Sequence, residues 1–90
     1  MPNSIEITLI GKPGCHLCDD ARITLNQVID GFQAQHPATQ VQVTELNILD
    51  DPALALMHSE EIPVLLINGK MHGYWHVDAA RLTAALNALA

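Results

Sequence analysis

The sequence predicts an α/β domain with element order βαβαββα, and three observations carry that prediction. Apolar residues change from a period of two to a helical period, and change back again, along the chain. The unbroken run Val64-Leu65-Leu66-Ile67 reads as a strand buried on both faces. Asn68-Gly69, directly after it, is a strong two-residue hairpin signal. With 90 residues, 49% of them hydrophobic, and no repeat, linker or low-complexity tract, the chain is expected to form one domain over residues 1–90.

Each element has its own signal. Ile5, Ile7 and Leu9 alternate with Glu6 and Thr8, as in a strand with one buried face. Gly11-Lys12-Pro13-Gly14 breaks that pattern. From Cys15 onward, Leu17, Ala21, Leu25, Val28 and Phe32 recur at three- and four-residue steps, so a first helix begins at the cysteines. Gly31 falls near its end and His36-Pro37 stops it, because proline disfavours helical geometry in the residue before it. Val41 and Val43, set among Gln40, Gln42 and Thr44, form a second strand. Asp51-Pro52 reads as an N-cap followed by proline in the first turn of a short helix, around Ala53 to His58. Ile62-Pro63 opens the third strand through Ile67, and Lys70 to about Tyr74 is its antiparallel partner across the hairpin. Asp78 caps a last helix whose Leu82, Ala85, Leu86 and Leu89 form one core-facing stripe, and His36 and His58 are expected as exposed helix-end residues.

Composition excludes several functions. The formal charge is −6, and the only cations, Lys12, Arg22, Lys70 and Arg81, are scattered, so no nucleic-acid surface is expected. Met1-Pro2-Asn3-Ser4 shows no secretory signal and the apolar runs are too short to cross a bilayer, which makes a cytoplasmic protein with no membrane partner the expectation. In that reducing compartment a lone cysteine pair is more often catalytic, redox-sensing or metal-binding than a permanent staple.

That pair is Cys15-His16-Leu17-Cys18, the only two thiols of the chain, placed between the first strand and the first helix. Two cysteines one helical turn apart can close a disulfide with little backbone movement. The first sits where helical amides point outward, and such settings lower a thiol's pKa from about 8.5 to roughly 3.5–7.5. His16 adds a cation when protonated, whereas Asp19 and Asp20 oppose a negative sulfur. His72-x-x-x-His76 has the look of the second half of a zinc finger, but its distance from Cys18 far exceeds the usual ~12–15 residues, so no metal ligands are assigned.

Three segments, Lys12-Pro13-Gly14-Cys15-His16-Leu17-Cys18, Ile62-Pro63 and Ile67-Asn68-Gly69-Lys70, together resemble the glutaredoxin branch of the thioredoxin-like superfamily, over nearly the whole chain. The resemblance implies a four-stranded mixed sheet flanked by three helices, with Pro63 cis and facing the cysteines. It implies a thiol–disulfide oxidoreductase in which Cys15 attacks a disulfide and Cys18, shielded by Leu17 and the helix turns, resolves the mixed disulfide. Pro63 shapes the exchange site. Lys12, the Ile62 backbone, Gly73 and Asp78 stand at positions that the family uses to hold glutathione, a thiol co-substrate, with no bound cofactor. The substrates implied are protein disulfides or glutathione mixed disulfides, and the expected state is a monomer. The chain departs from the family pattern at Glu61, where a small polar residue such as threonine is usual. It departs again at Tyr74 and Trp75, which replace part of a glycine-lined groove, and in one extra residue before Asp78. Three other readings stay open: a thioredoxin-type protein disulfide reductase served by a flavoprotein, an iron–sulfur or metal carrier bridged through Cys15, and a redox sensor.

Overall fold

The structure is a computed structural model that describes residues 4–90. Residues 1–3, read above for the absence of a secretory signal, lie outside the described residues.

Strand β1 (Ser4–Gly11) is followed by helix α1 (His16–Gln35), strand β2 (Gln40–Asn47), a 3-10 turn (Ile48–Asp50) and helix α2 (Pro52–His58). Strands β3 (Val64–Ile67) and β4 (Lys70–Tyr74) and helix α3 (Ala79–Leu89) complete the chain. The strands form one mixed sheet in the order β2-β1-β3-β4, with β1 parallel to β2, antiparallel to β3, and β3 antiparallel to β4. This is the four-stranded, three-helix arrangement that the resemblance implies.

The alternation in β1 decides what lies on each face. Ile5, Ile7 and Leu9 point to one side, where Ala21, Leu25, Val28, Ile29 and Phe32 of α1 and Leu82 and Leu86 of α3 close over them together with Leu65 and Ile67. Leu82 and Leu86 are fully buried, and each contributes about 1.5–3 kcal/mol of transfer free energy that fixes α3 to the sheet. Ile10 points to the other side and forms a second cluster with Cys18, Ile48, Ile62 and Val64 under Leu54 and Ala55 of α2. The Cys18 thiol is thus part of the apolar core.

The hairpin obeys its sequence. Asn68 and Gly69 both take positive φ, 51° and 81°, as a two-residue turn of the favoured twist requires. Asn68 also accepts the Glu6 amide through Oδ1 (2.9 Å) and donates its own amide to the Glu6 carbonyl (2.7 Å), extending the β1–β3 ladder beyond the strand end. A bulge between Leu65 and Leu66 leaves His72 as the extra residue of β4.

Several sequence expectations need correction. β2 runs past Thr44 to Asn47, because it pairs with β1 over its full length; Glu45 and Leu46 of this edge strand are exposed and continue no apolar alternation. The third strand begins at Val64, the first residue paired with Ile10 and Tyr74, because Pro63 before it has no N–H to donate to a ladder. The 3-10 turn was not expected; Asn47 initiates it by accepting the Leu49 amide (2.8 Å). Leu17 and Leu89 fall on their helical stripes but remain exposed. His36 stacks on Phe32 with ring centroids 4.7 Å apart, and His58 is largely buried with Nδ1 3.4 Å from Glu61, so neither is a free helix-end side chain.

Candidate active site

Cys15 is the N-cap of α1, with extended backbone (φ −100°, ψ 115°), and its sulfur accepts the backbone N–H of Cys18 at 3.3 Å. The Asp19 amide donates to the Cys15 carbonyl (3.0 Å), so the first helical turn is closed directly on the thiol. Negative charge developing on the Cys15 sulfur therefore meets an amide already aimed at it and the positive end of a 20-residue helix. Cys15 is half-buried, whereas Cys18 is 1% exposed, and both are free thiols. One sulfur is reachable from solvent and the other is not.

Burial pushes the Cys18 thiol up to about 11, aided by its contact with Cys15. The Lys12 backbone amide and the Arg22 guanidinium act in the opposite direction. Arg22 lies one helical turn beyond Cys18, held by Asp19 (3.0 Å) and by Glu45 of β2. The spacing from Cys18 was visible in the sequence as a shared helix face, but Glu45 arrives only through the parallel β1–β2 pairing. A groove of about 350 Å³ opens here, lined among others by Gly11, Lys12, Cys18, Arg22 and Glu45, but not by Cys15 or Pro63.

On the other flank the Ile62–Pro63 bond is cis and both residues are buried. Ile62 shares a cluster with Cys18, against which Cys15 also packs, so the structure brings Cys15, Cys18 and the Ile62–Pro63 peptide together. Trp75 closes this flank. Its backbone N–H donates to the Pro63 carbonyl (2.8 Å), its indole N–H donates to the Glu60 carbonyl (3.0 Å), and Tyr74 stands edge-on to its ring at 4.9 Å. Trp75 has φ +68°, a left-handed conformation costly for a residue with a side chain, and these contacts hold it there. Nothing in the sequence signalled that backbone conformation.

The remaining sequence-predicted positions are placed as follows. Lys12 is exposed and makes no ion pair among the described residues. Gly73 lies under Arg81, whose Nη1 is 3.4 Å from where a Cβ would stand. Asp78 caps α3, accepting the Arg81 amide at 3.1 Å, so Gly73 and Asp78 meet around one arginine. Beside them His72, which the sequence places on the fourth strand, buries an Nε2 that has no partner among the described residues. Glu61 faces His58. Among the described residues no three His, Cys, Asp or Glu side chains gather where they could hold one metal ion, and no helix is long and apolar enough to cross a membrane.

A C-x-x-C pair opening the helix after β1, a cis-proline peptide in the same cluster and this mixed sheet define a protein of the thioredoxin-like redox fold. Residues 6–87 match the family described as Glutaredoxin-like domain (DUF836), and the chain belongs to that family. It is similar to an uncharacterized protein of Mycobacterium tuberculosis, 28% identical over 81 residues, covering 88% of this chain and 79% of that one. Among solved structures it is similar to the structural-genomics target protein XcR50 from X. campestris, with TM-score 0.70 and 33% identity over 91% of this chain and 96% of that one. Chloroplastic thioredoxin z, 17% identical, shares the fold with TM-score 0.72 over 97% of this chain and 79% of its own.

Proposed function

We propose that this protein is a dithiol thiol–disulfide oxidoreductase in which Cys15 is the nucleophile and Cys18 the resolving thiol. The observation that carries this reading is the asymmetry of the pair. The Cys15 sulfur is half-exposed and faced by the Cys18 amide, whereas Cys18 is sealed in the core one turn away. The Cys15 thiolate attacks a substrate disulfide, forming a mixed disulfide and releasing one substrate thiolate, which takes a proton from water. Cys18 then loses its proton to solvent and attacks the Cys15 sulfur. This forms the 15–18 disulfide and releases the second substrate thiolate, so two electrons pass from the protein to the substrate. An external thiol reverses the sequence and restores the pair.

Lys12, Ile62, Pro63, Gly73 and Asp78 are the residues through which glutathione would act as that thiol. A second reading, reduction by a protein dithiol, is favoured by a specific observation. Arg81 covers Gly73, Asp78 is engaged as a helix cap, and Tyr74 and Trp75 wall the flank beside Pro63. One coupled assay separates the two: reduction of a glutathione mixed disulfide with glutathione and glutathione reductase, run beside the Cys15→Ser variant. Cys15-dependent turnover establishes glutathione as reductant. Reversible oxidation of the pair without turnover in that assay supports the protein-dithiol reading. A pair that does not oxidise reversibly overturns the oxidoreductase reading.

A further inference from the structure

We propose that Gly11 is the positioning residue for the resolving thiol: the missing side chain at the end of β1 is the space in which the Cys18 sulfur lies. The inference rests on the dithiol reading above. A Cβ built on Gly11 would stand 2.8 Å from the Cys18 sulfur and 3.3 Å from its Cβ, well inside the ~3.5–4.0 Å at which such atoms attract one another. Cβ atoms built on Gly14, Gly31 and Gly69 meet nothing within 4 Å, and the one on Gly73 meets only the tip of Arg81. Gly11 is not among the residues with positive φ, so glycine is required here for room and not for backbone freedom.

The sulfur has little freedom to give way. Cys18 is 1% exposed and packed among Ile10, Ile48, Ile62 and Val64. The seat therefore fixes Cys18 from below, by the β1 backbone, while the Cys18 amide reaches the Cys15 sulfur above. Resolution requires this sulfur to come to about 2.05 Å of the Cys15 sulfur, in line with the bond being broken. A methyl group on Gly11 displaces the attacking atom by a substantial fraction of an ångström, and misplacement on that scale slows a positioned reaction by up to about a hundredfold. Cys15 does not touch the seat, so the first attack is spared.

The test uses 5,5′-dithiobis(2-nitrobenzoate). Attack by the Cys15 thiolate forms the Cys15–thionitrobenzoate mixed disulfide and releases one thionitrobenzoate anion. Cys18, giving its proton to solvent, displaces the second anion and closes the 15–18 disulfide. The two thiols lose two electrons and the aryl disulfide gains them. In Gly11→Ala the first release is expected within about twofold of the wild type and the second slowed by at least about tenfold. Two phases at wild-type rates, or both slowed alike, would overturn the role. Thermal unfolding of Gly11→Ala in the Cys18→Ala background keeps the idea testable if the single variant does not fold. With the sulfur removed, the 2.8 Å clash is gone and only the tight 3.3 Å approach to the Cβ of residue 18 remains, so the melting temperature lost to Gly11→Ala must be much smaller when measured against Cys18→Ala than against the wild type. An equal loss in both backgrounds rules out the cradle. A wild-type protein that releases one anion or none would instead overturn the dithiol reading itself, a result visible before any Gly11 variant is made.

Discussion

The two cysteines share a helical turn but not an environment, and residue-level predictions follow from that difference. Cys15→Ser removes the only reachable sulfur and is expected to abolish disulfide exchange. Cys18→Ser leaves attack intact and strands the mixed disulfide, which intact-mass spectrometry will detect as a lasting adduct. Equal rates of alkylation of the two single variants by a bulky reagent would contradict these roles, because Cys18 is 1% exposed. On the proposed dithiol mechanism, Arg22 is expected to tune the second step. Its guanidinium lowers the Cys18 pKa against the larger effect of burial, so Arg22→Met raises that pKa further and reduces the thiolate available at neutral pH. The outcome is a slower second release of thionitrobenzoate, by at most about fivefold as expected for a half-exposed charge, with the first release unchanged. A parallel slowing of both releases would place Arg22 in general structure and not beside Cys18.

Among the elements, α3 separates a structural from a binding role for Asp78. Its carboxylate accepts the Arg81 amide, so Asp78→Ala is expected to cost about 1 kcal/mol, equivalent to a drop of about 4–8 °C in melting temperature for a domain of this size. Asn caps a helix as well as Asp, so Asp78→Asn should keep the stability while removing the charge. If Asp78 also holds a glutathione amine, Asp78→Asn raises the KM for glutathione without changing the melting temperature. An unchanged KM confines Asp78 to the cap. This element was legible in the sequence because its signals are local: Asp78, then Leu82 and Leu86 one turn apart, just as Asn68-Gly69 declared the hairpin. The C-x-x-C motif at the start of α1 was legible for the same reason. β2 beyond Thr44 was not, because it is an edge strand whose length only the pairing with β1 sets. Glu45 beside Arg22, the left-handed Trp75 and the space above Gly11 were equally hidden. Each depends on contacts between segments distant in sequence, which no periodicity records.

At the scale of the whole molecule, a buried thiol and a half-buried imidazole confine stability from opposite sides. Cys18 anchors the cluster beneath α2, and burial raises its pKa from 9.0 to about 11. Below pH 9 both folded and unfolded chains carry a neutral thiol there and its contribution is fully present. As pH rises from 9 toward about 11 the unfolded chain gives up the proton and the folded one does not, so stability falls through that window. His72, on the bulge of β4, behaves in the opposite sense. Burial, and then the charge of Arg81, lowers its pKa below 6.5 against a smaller opposing pull from Asp78. Its contribution is present above pH 6.5 and is lost as pH falls through the depressed value, because the unfolded imidazole charges first. Urea unfolding across the pH range is therefore expected to show a plateau between about 6.5 and 9 with a limb on each side. Cys18→Ala should flatten the alkaline limb alone, and His72→Gln should shallow the acid limb alone, where titrating carboxylates also act. Cys18 lies in the cluster beneath α2 and His72 lies beside Arg81 and Asp78, with no charged neighbour in common, so the double variant should show both changes in sum. An alkaline limb that persists in Cys18→Ala would mean that Cys18 is not the group whose burial the fold protects.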